Sequence, residues 1–250
     1  MNLLHDINPV TRIAALILLA TPLLLSVDLV SAAVSLGFTL LLAPLAGVSW
    51  TTLLKRSWPI LLAAPIAGIS MALYGRPEGQ VFFEFAFAQV TENSLQLAAA
   101  IMVRVLAVGL PVMVLAAKVD PTDLGDGLAQ VARLPERFVI GAVAGARLTS
   151  LFRSDWHSLA RARRSRGVAD QGRIRHFFTM AFGLLVLSLR RGAKLATAME
   201  ARGFGSGRRT WARESTVGAR DAVLLLVCAL ISTLAIGIAV WSGSFRFLGA

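Results

Sequence analysis

Two short basic motifs hold the residues with the most specific chemistry in this chain. The first is Ala162, Arg163, Arg164, Ser165, Arg166, Gly167. The second is Ala198, Met199, Glu200, Ala201, Arg202, Gly203, Phe204. Each sets a small residue, then Arg, then Gly, and the two Arg-Gly pairs stand thirty-six residues apart. A guanidinium is planar and permanently charged, and it grips a carboxylate or backbone carbonyls with parallel hydrogen bonds. Glycine adopts left-handed geometry without strain, so Gly167 and Gly203 read as helix C-terminal caps. Arg166 and Arg202 then fall in the last turn, where the negative end of the helix dipole favours a cation. Ser165 and Ala201 are small enough to let another backbone approach. A single motif of this kind is an ordinary basic helix end near lipid headgroups. Two of them on one side of a membrane suit a partner with two equivalent sockets.

Each motif closes a stretch with helical periodicity. Residues 141–166 read as one long helix, with Leu148, Phe152, Trp156 and Leu159 at spacings of four, four and three on one apolar face. Arg153, Arg161 and Arg164 fall off that face. The second stretch runs from about 177 to 202. There Leu185, Leu189, Gly192, Ala196 and Met199 repeat at four, three, four and three, while Arg190, Arg191 and Lys194 line other sides. Upstream, Asp120-Pro121-Thr122-Asp123 is an N-cap cluster that opens a helix.

The rest of the chain belongs in a membrane. Of 250 residues 56% are hydrophobic, and the mean hydropathy is +0.70, above the composition of soluble domains. Apolar runs at 13–26, 29–48, 58–74, 94–117 and 222–241 predict about five transmembrane helices. Asn8-Pro9 marks the start of the first. That run is not read as a cleaved leader, because the second follows at once and the two make a hairpin. Arg104 lies inside an apolar run, where an ionisable group must face protein or a cavity; a structural salt bridge and a functional role both fit it. Residues 75–93 hold Phe82, Phe83, Phe85 and Phe87, aromatics suited to packing at the membrane interface. The expected organisation is 1–117 transmembrane, 118–218 a domain of long amphipathic helices, and 219–250 a final transmembrane helix and tail. The fold class is an all-α integral membrane protein.

The net charge of +11 is concentrated between Lys118 and Arg220. The positive-inside rule accounts for it, placing the N-terminus, Lys55-Arg56 and the 118–218 domain in the cytoplasm. Aromatics are not interleaved with the arginines as a base-stacking surface requires, so no nucleic-acid partner is expected. The single cysteine, Cys228, excludes an intrachain disulfide framework.

At these residues the chain resembles the transmembrane T component of energy-coupling factor (ECF) transporters, the EcfT or CbiQ family. Leu4-His5-Asp6-Ile7-Asn8-Pro9-Val10-Thr11-Arg12 is similar to the family's N-terminal entry, and Asp120–Leu124 to the opening of its coupling domain. Residues 162–167 resemble its first Ala-Arg-Gly motif, with Ser165 in place of Ala. Leu189-Arg190-Arg191 and residues 198–204 resemble the second motif and its approach. The resemblance implies a multi-pass subunit of a prokaryotic cytoplasmic membrane with no catalytic site and no cofactor or metal of its own. Two ABC-type ATPase subunits would dock on Ser165, Arg166, Gly167, Ala201, Arg202 and Gly203. The apolar faces at Leu148, Phe152, Trp156, Leu159, Leu185, Leu189 and Met199 would pack on each other or on a membrane S component. That S component selects a vitamin or a transition metal such as cobalt.

Two other functions are weighed. A membrane enzyme acting on a lipid or isoprenoid phosphate needs clustered carboxylates or histidines. His5, His157 and His176 are scattered, and Asp120, Asp123 and Asp126 suit a helix start better than a metal cage. A self-sufficient transporter calls for inverted repeats or several midplane polar groups, and apart from Arg104 the apolar runs offer few.

Overall fold

The computed structural model describes residues 4, 6–26, 28–75, 80–85, 88–116, 119–167, 172–205, 207 and 210–245. His5, Arg76, Glu78, Phe87, Lys118 and Arg246 lie outside them. The chain divides into two compact units: Met1–Val119 with Thr216–Ala250, and Asp120–Ser215.

The first unit contains α1 (Pro9–Leu25), α2 (Leu29–Leu42), α3 (Trp50–Tyr74), α4 (Glu92–Leu115) and α8 (Ala219–Trp241). Side-chain caps set the starts. Asn8 accepts from the Val10 amide at 3.0 Å, and Pro9 supplies a preset first residue. Asp28 accepts from the Ser31 amide at 2.6 Å. Thr91 and Ser94 form a reciprocal capping box at 2.9 and 3.2 Å. α3, α4 and α8 have 25, 24 and 23 residues, long and apolar enough to cross a membrane. α1 and α2 are shorter apolar helices of 17 and 14 residues, about 25 and 21 Å long at the α-helical rise. The second expected run is cut at Leu42, followed by a turn over 43–47 that contains Pro44.

Between α3 and α4 the chain forms an antiparallel hairpin of β1 (Val81–Phe85) and β2 (Ala88–Thr91). The sequence reading missed it, because alternation over so few residues was masked by the aromatic cluster. Phe82 is exposed.

Small residues let α3 and α4 pack closely. A Cβ at Gly68 would meet Met102 Cγ at 2.4 Å, and one at Gly109 would meet Ile60 Cγ2 at 2.8 Å. Such contacts replace the hydrophobic driving force that lipid does not supply. Ala15, Leu19, Leu53, Leu110, Val114, Cys228 and Ile231 share one core. The entry to α1 is tied to the start of α8. The Asn8 amide donates to Asp221 Oδ1 at 2.8 Å, Asn8 Nδ2 to the Thr216 carbonyl at 3.2 Å, and Arg220 pairs with Asp6. Arg104 is buried in α4, and the buried Asp28 supplies a favourable opposite charge. Leu41, Leu62, Ile66, Leu226 and Trp241 are exposed. Such a surface is costly in water and ordinary against lipid tails.

The second unit contains α5 (Pro121–Gln130), α6 (Glu136–Ser165) and α7 (Arg173–Ala201). α5 lies close on α6: a Cβ at Gly125 would meet Val143 Cγ2 at 2.3 Å. Arg147 Nη2 donates to Thr122 Oγ1 at 3.1 Å. The long helices begin and end within a few residues of the expected bounds. Residues 177–189 are part of the continuous α7.

Candidate helix-tip docking site

Contacts between α6 and α7 fix where the two motifs stand. Arg137, at the start of α6, donates from Nη2 to the Gly205 carbonyl just beyond α7 at 2.9 Å. Asp155 forms an ion pair with Arg191, with Nη2 to Oδ1 at 3.0 Å. Leu159 lies beside Gly183, and the Trp156 and Phe177 rings are 5.9 Å apart between centroids. Residue numbers rise along α6 as they fall along α7, so the helices run in opposite directions. The two motifs therefore cap opposite ends of one pair. From Phe177 to Ala201 the helix rise covers about 36 Å.

At each tip the Arg is the C-cap residue and the Gly the first residue beyond. Arg166 has φ −91° and ψ 2°, and Arg202 φ −91° and ψ 11°. Gly167 and Gly203 take φ of +69° and +73°, in the left-handed region expected of them. The Gly203 amide donates to the Glu200 carbonyl at 2.9 Å and the Phe204 amide to the Met199 carbonyl at 3.0 Å. Those are the two bonds of a Schellman motif, and Phe204 is half-buried beside them. The Gly167 amide makes the matching bond to Arg164 at 3.1 Å; Val168, which would make the second, lies outside the described residues. Ser165 Oγ donates back to the Ala162 carbonyl at 3.0 Å. Ser165, Arg166, Gly167, Ala201, Arg202 and Gly203 are all exposed.

The expected α6 face holds together: Leu148, Phe152, Trp156 and Leu159 are all half-buried. The α7 face divides. Met199 is half-buried, but Leu185 and Leu189 are exposed at 53% and 65%. They join Ile174, Phe178 and Phe182 in an exposed stripe at spacings of four, four, three and four. The inward face of α7 is instead Met180, Leu184, Leu187, Arg191, Leu195 and Met199. The sequence pattern permitted both stripes, because α7 is apolar on two sides. Arg191 was placed off the packed face; it turns inward because Asp155 supplies a carboxylate there. Asp155 is the sole acid of α6 after its first residue, which was the available signal.

The carboxylates near α5 have local partners. Asp120 Oδ1 accepts from the Thr122 amide at 2.7 Å, and Asp123 pairs with Arg213 at 2.9 Å. Hydrogen bonds from the Thr122 backbone and side chain hold the Asp120 carboxyl below its ordinary range. Among the described residues no three His, Cys, Asp or Glu side chains converge as metal ligands.

The model of the CbiQ family, described as cobalt transport protein, matches residues 1–211. An energy-coupling factor transporter transmembrane protein EcfT from Brevibacillus brevis is 26% identical over 243 residues, covering 92% of this chain and 91% of that protein. The EcfT of Exiguobacterium sibiricum is 28% identical over 194 residues, covering 72% and 73%. The EcfT of Bacillus subtilis is 23% identical over 247 residues, covering 93% of each chain. An architecture that is helical apart from one hairpin among the described residues, together with a family match over most of its length, places this chain in the CbiQ cobalt transport protein family.

Proposed function

We propose that this chain is the membrane scaffold and energy-coupling subunit of an ECF-type ATP-driven importer. Two ABC-type ATPase subunits dock on the tips at Arg166 and Arg202, one to each. A separate membrane S component carries the vitamin or transition-metal cargo. The chain itself performs no catalysis. It lies in the bacterial cytoplasmic membrane with its N-terminus and residues 118–218 facing the cytoplasm. The observation that carries this reading is the repeated tip: an exposed Arg on a glycine-capped helix end, twice, at opposite ends of one antiparallel pair.

The physics of the proposed step follows from that geometry. An Arg at a helix C-terminus is oriented by the cap and favoured by the dipole, so a partner carboxylate or carbonyl meets a fixed donor. Two ATPase subunits that approach each other on binding ATP would draw the two tips with them. The α6–α7 pair is tied by Asp155–Arg191 and the Trp156–Phe177 contact, so movement at a tip reaches its middle. The exposed stripe of Ile174, Phe178, Phe182, Leu185 and Leu189 then offers the S component an apolar surface that moves with α7. ATP shifts the arrangement only through the different contacts made in each state.

Co-purification from membranes tests the reading. The chain should bring down two ATPase subunits and a small membrane protein. Arg166→Glu with Arg202→Glu should remove the ATPases and abolish uptake while the chain stays in the membrane. Full ATPase retention by that double variant would refute the docking role.

A further inference from the structure

The stretch that leaves the second tip is strapped to α5 and the start of α6. Arg137 Nη2 donates to the Gly205 carbonyl at 2.9 Å. Gln130 brackets the returning chain with its side-chain amide: Nε2 donates to the Arg213 carbonyl and Oε1 accepts from the Ser215 amide, both at 2.9 Å. Arg213 Nη1 pairs with Asp123 Oδ1, also at 2.9 Å. An amide that both donates to and accepts from one backbone segment fixes its register, as a neighbouring strand does. Gly205 has φ +85°, and a Cβ there would lie 3.2 Å from Arg137 Nε. The glycine thus permits both the turn and the close approach of the guanidinium. Around Arg166 and Gly167 the described residues offer only the cap's own backbone bonds and the Ser165 back-bond.

We propose that Arg137 and Gln130 are positioning residues for the second tip, holding Arg202 in a preset orientation for its ATPase partner. This rests on the docking role proposed above. Three of these four bonds are exposed and weak singly, but together they act on Gly205, Arg213 and Ser215. Preorganisation of this kind raises affinity by removing the cost of ordering on binding. One helix would then serve both partners differently: the end of α6 carries the first tip, and its beginning steadies the second.

The test uses the full chain with its co-expressed ATPase subunits, on a Cys228→Ala background, since Cys228 is the one thiol. Spin labels are placed at Glu200→Cys and, separately, at Arg164→Cys, each two residues before the tip arginine. Arg137→Ala with Gln130→Ala should raise label mobility at 200 and leave 164 unchanged. The same double variant should weaken ATPase attachment about tenfold, the loss of one to two net hydrogen bonds. Arg137→Lys, which keeps a donor, should restore most of both. Equal mobility gains at 200 and 164, or none at 200, would overturn the proposal. So would undiminished attachment despite a loosened tip. Failure of the docking reading shows separately, since Arg202→Glu would then leave attachment intact whatever the label reports.

Discussion

The two tips share a backbone and differ in surroundings. Both end in an Arg at the C-cap and a Gly at positive φ. The first is dense in positive charge, with Arg163 and Arg164 in its last turn. The second has Glu200 two residues before Arg202, and its exit is strapped to α5 and α6. The cap geometry is local and follows from Gly after a helical run. The surroundings are not local. Motifs with the same cap therefore need not act identically: one offers redundant charge, the other a single oriented donor.

Reversing the arginines gives the largest expected difference. Arg202→Glu leaves a tip with two acidic residues and should weaken ATPase attachment on the order of a hundredfold, as for a paired interfacial charge. Arg166→Glu keeps Arg163 and Arg164 nearby and should cost about tenfold. Retained ATPase per chain after affinity purification measures both; equal losses would erase the distinction between the tips.

Breaking the contact that serves both ends should not discriminate. Asp155→Ala leaves the half-exposed Arg191 without its carboxylate and should destabilise the α6–α7 pair by about 1 kcal/mol. Thermal unfolding in detergent reads this, and attachment of both ATPases should fall together.

Alanine at either cap glycine forces a Cβ into left-handed backbone, at about 1 kcal/mol each. Amide exchange in the last turns should speed up at both sites. For Gly203→Ala the two Schellman bonds and the packing of Phe204 should be lost with the turn. Unchanged exchange at either site would contradict the capping role.

The smallest effect concerns the start of α5, part of the strap. The Asp120 carboxyl sits below its ordinary value of 3.8 because the Thr122 backbone and side chain donate to it. A depressed carboxylate contributes stability that is complete above 3.8 and fades as pH falls through the lower folded value. Amide exchange at the first turn of α5 should therefore rise only in acid below about pH 4. Asp120→Asn should remove that acid dependence.

Much of the fold was legible along the chain. Hydrophobic run length marked α3, α4 and α8, Asn8-Pro9 and Asp120-Pro121 marked two starts, and Gly167 and Gly203 marked two ends. These signals need only neighbouring residues. The hairpin at 81–91 was missed because its pattern is short. The run at 29–48 was drawn too long because apolar composition continues past Leu42, where the backbone turns. Which stripe of α7 packs on α6 was not legible, because its sequence carries two apolar stripes and only the partner helix chooses between them.

The sequence by itself determined that this protein lies in a membrane, that its basic domain carries two arginine tips, and how each tip is capped. Hydropathy, charge and glycine conformation are properties of residues and their immediate neighbours. Only the tertiary structure decided that the tips stand at opposite ends of an antiparallel pair. It also turned Arg191 onto Asp155, and tied Gln130 and Arg137 to a segment some seventy to eighty residues away. Those pairings join groups far apart in the chain, and no local preference of any one residue specifies which partner it meets.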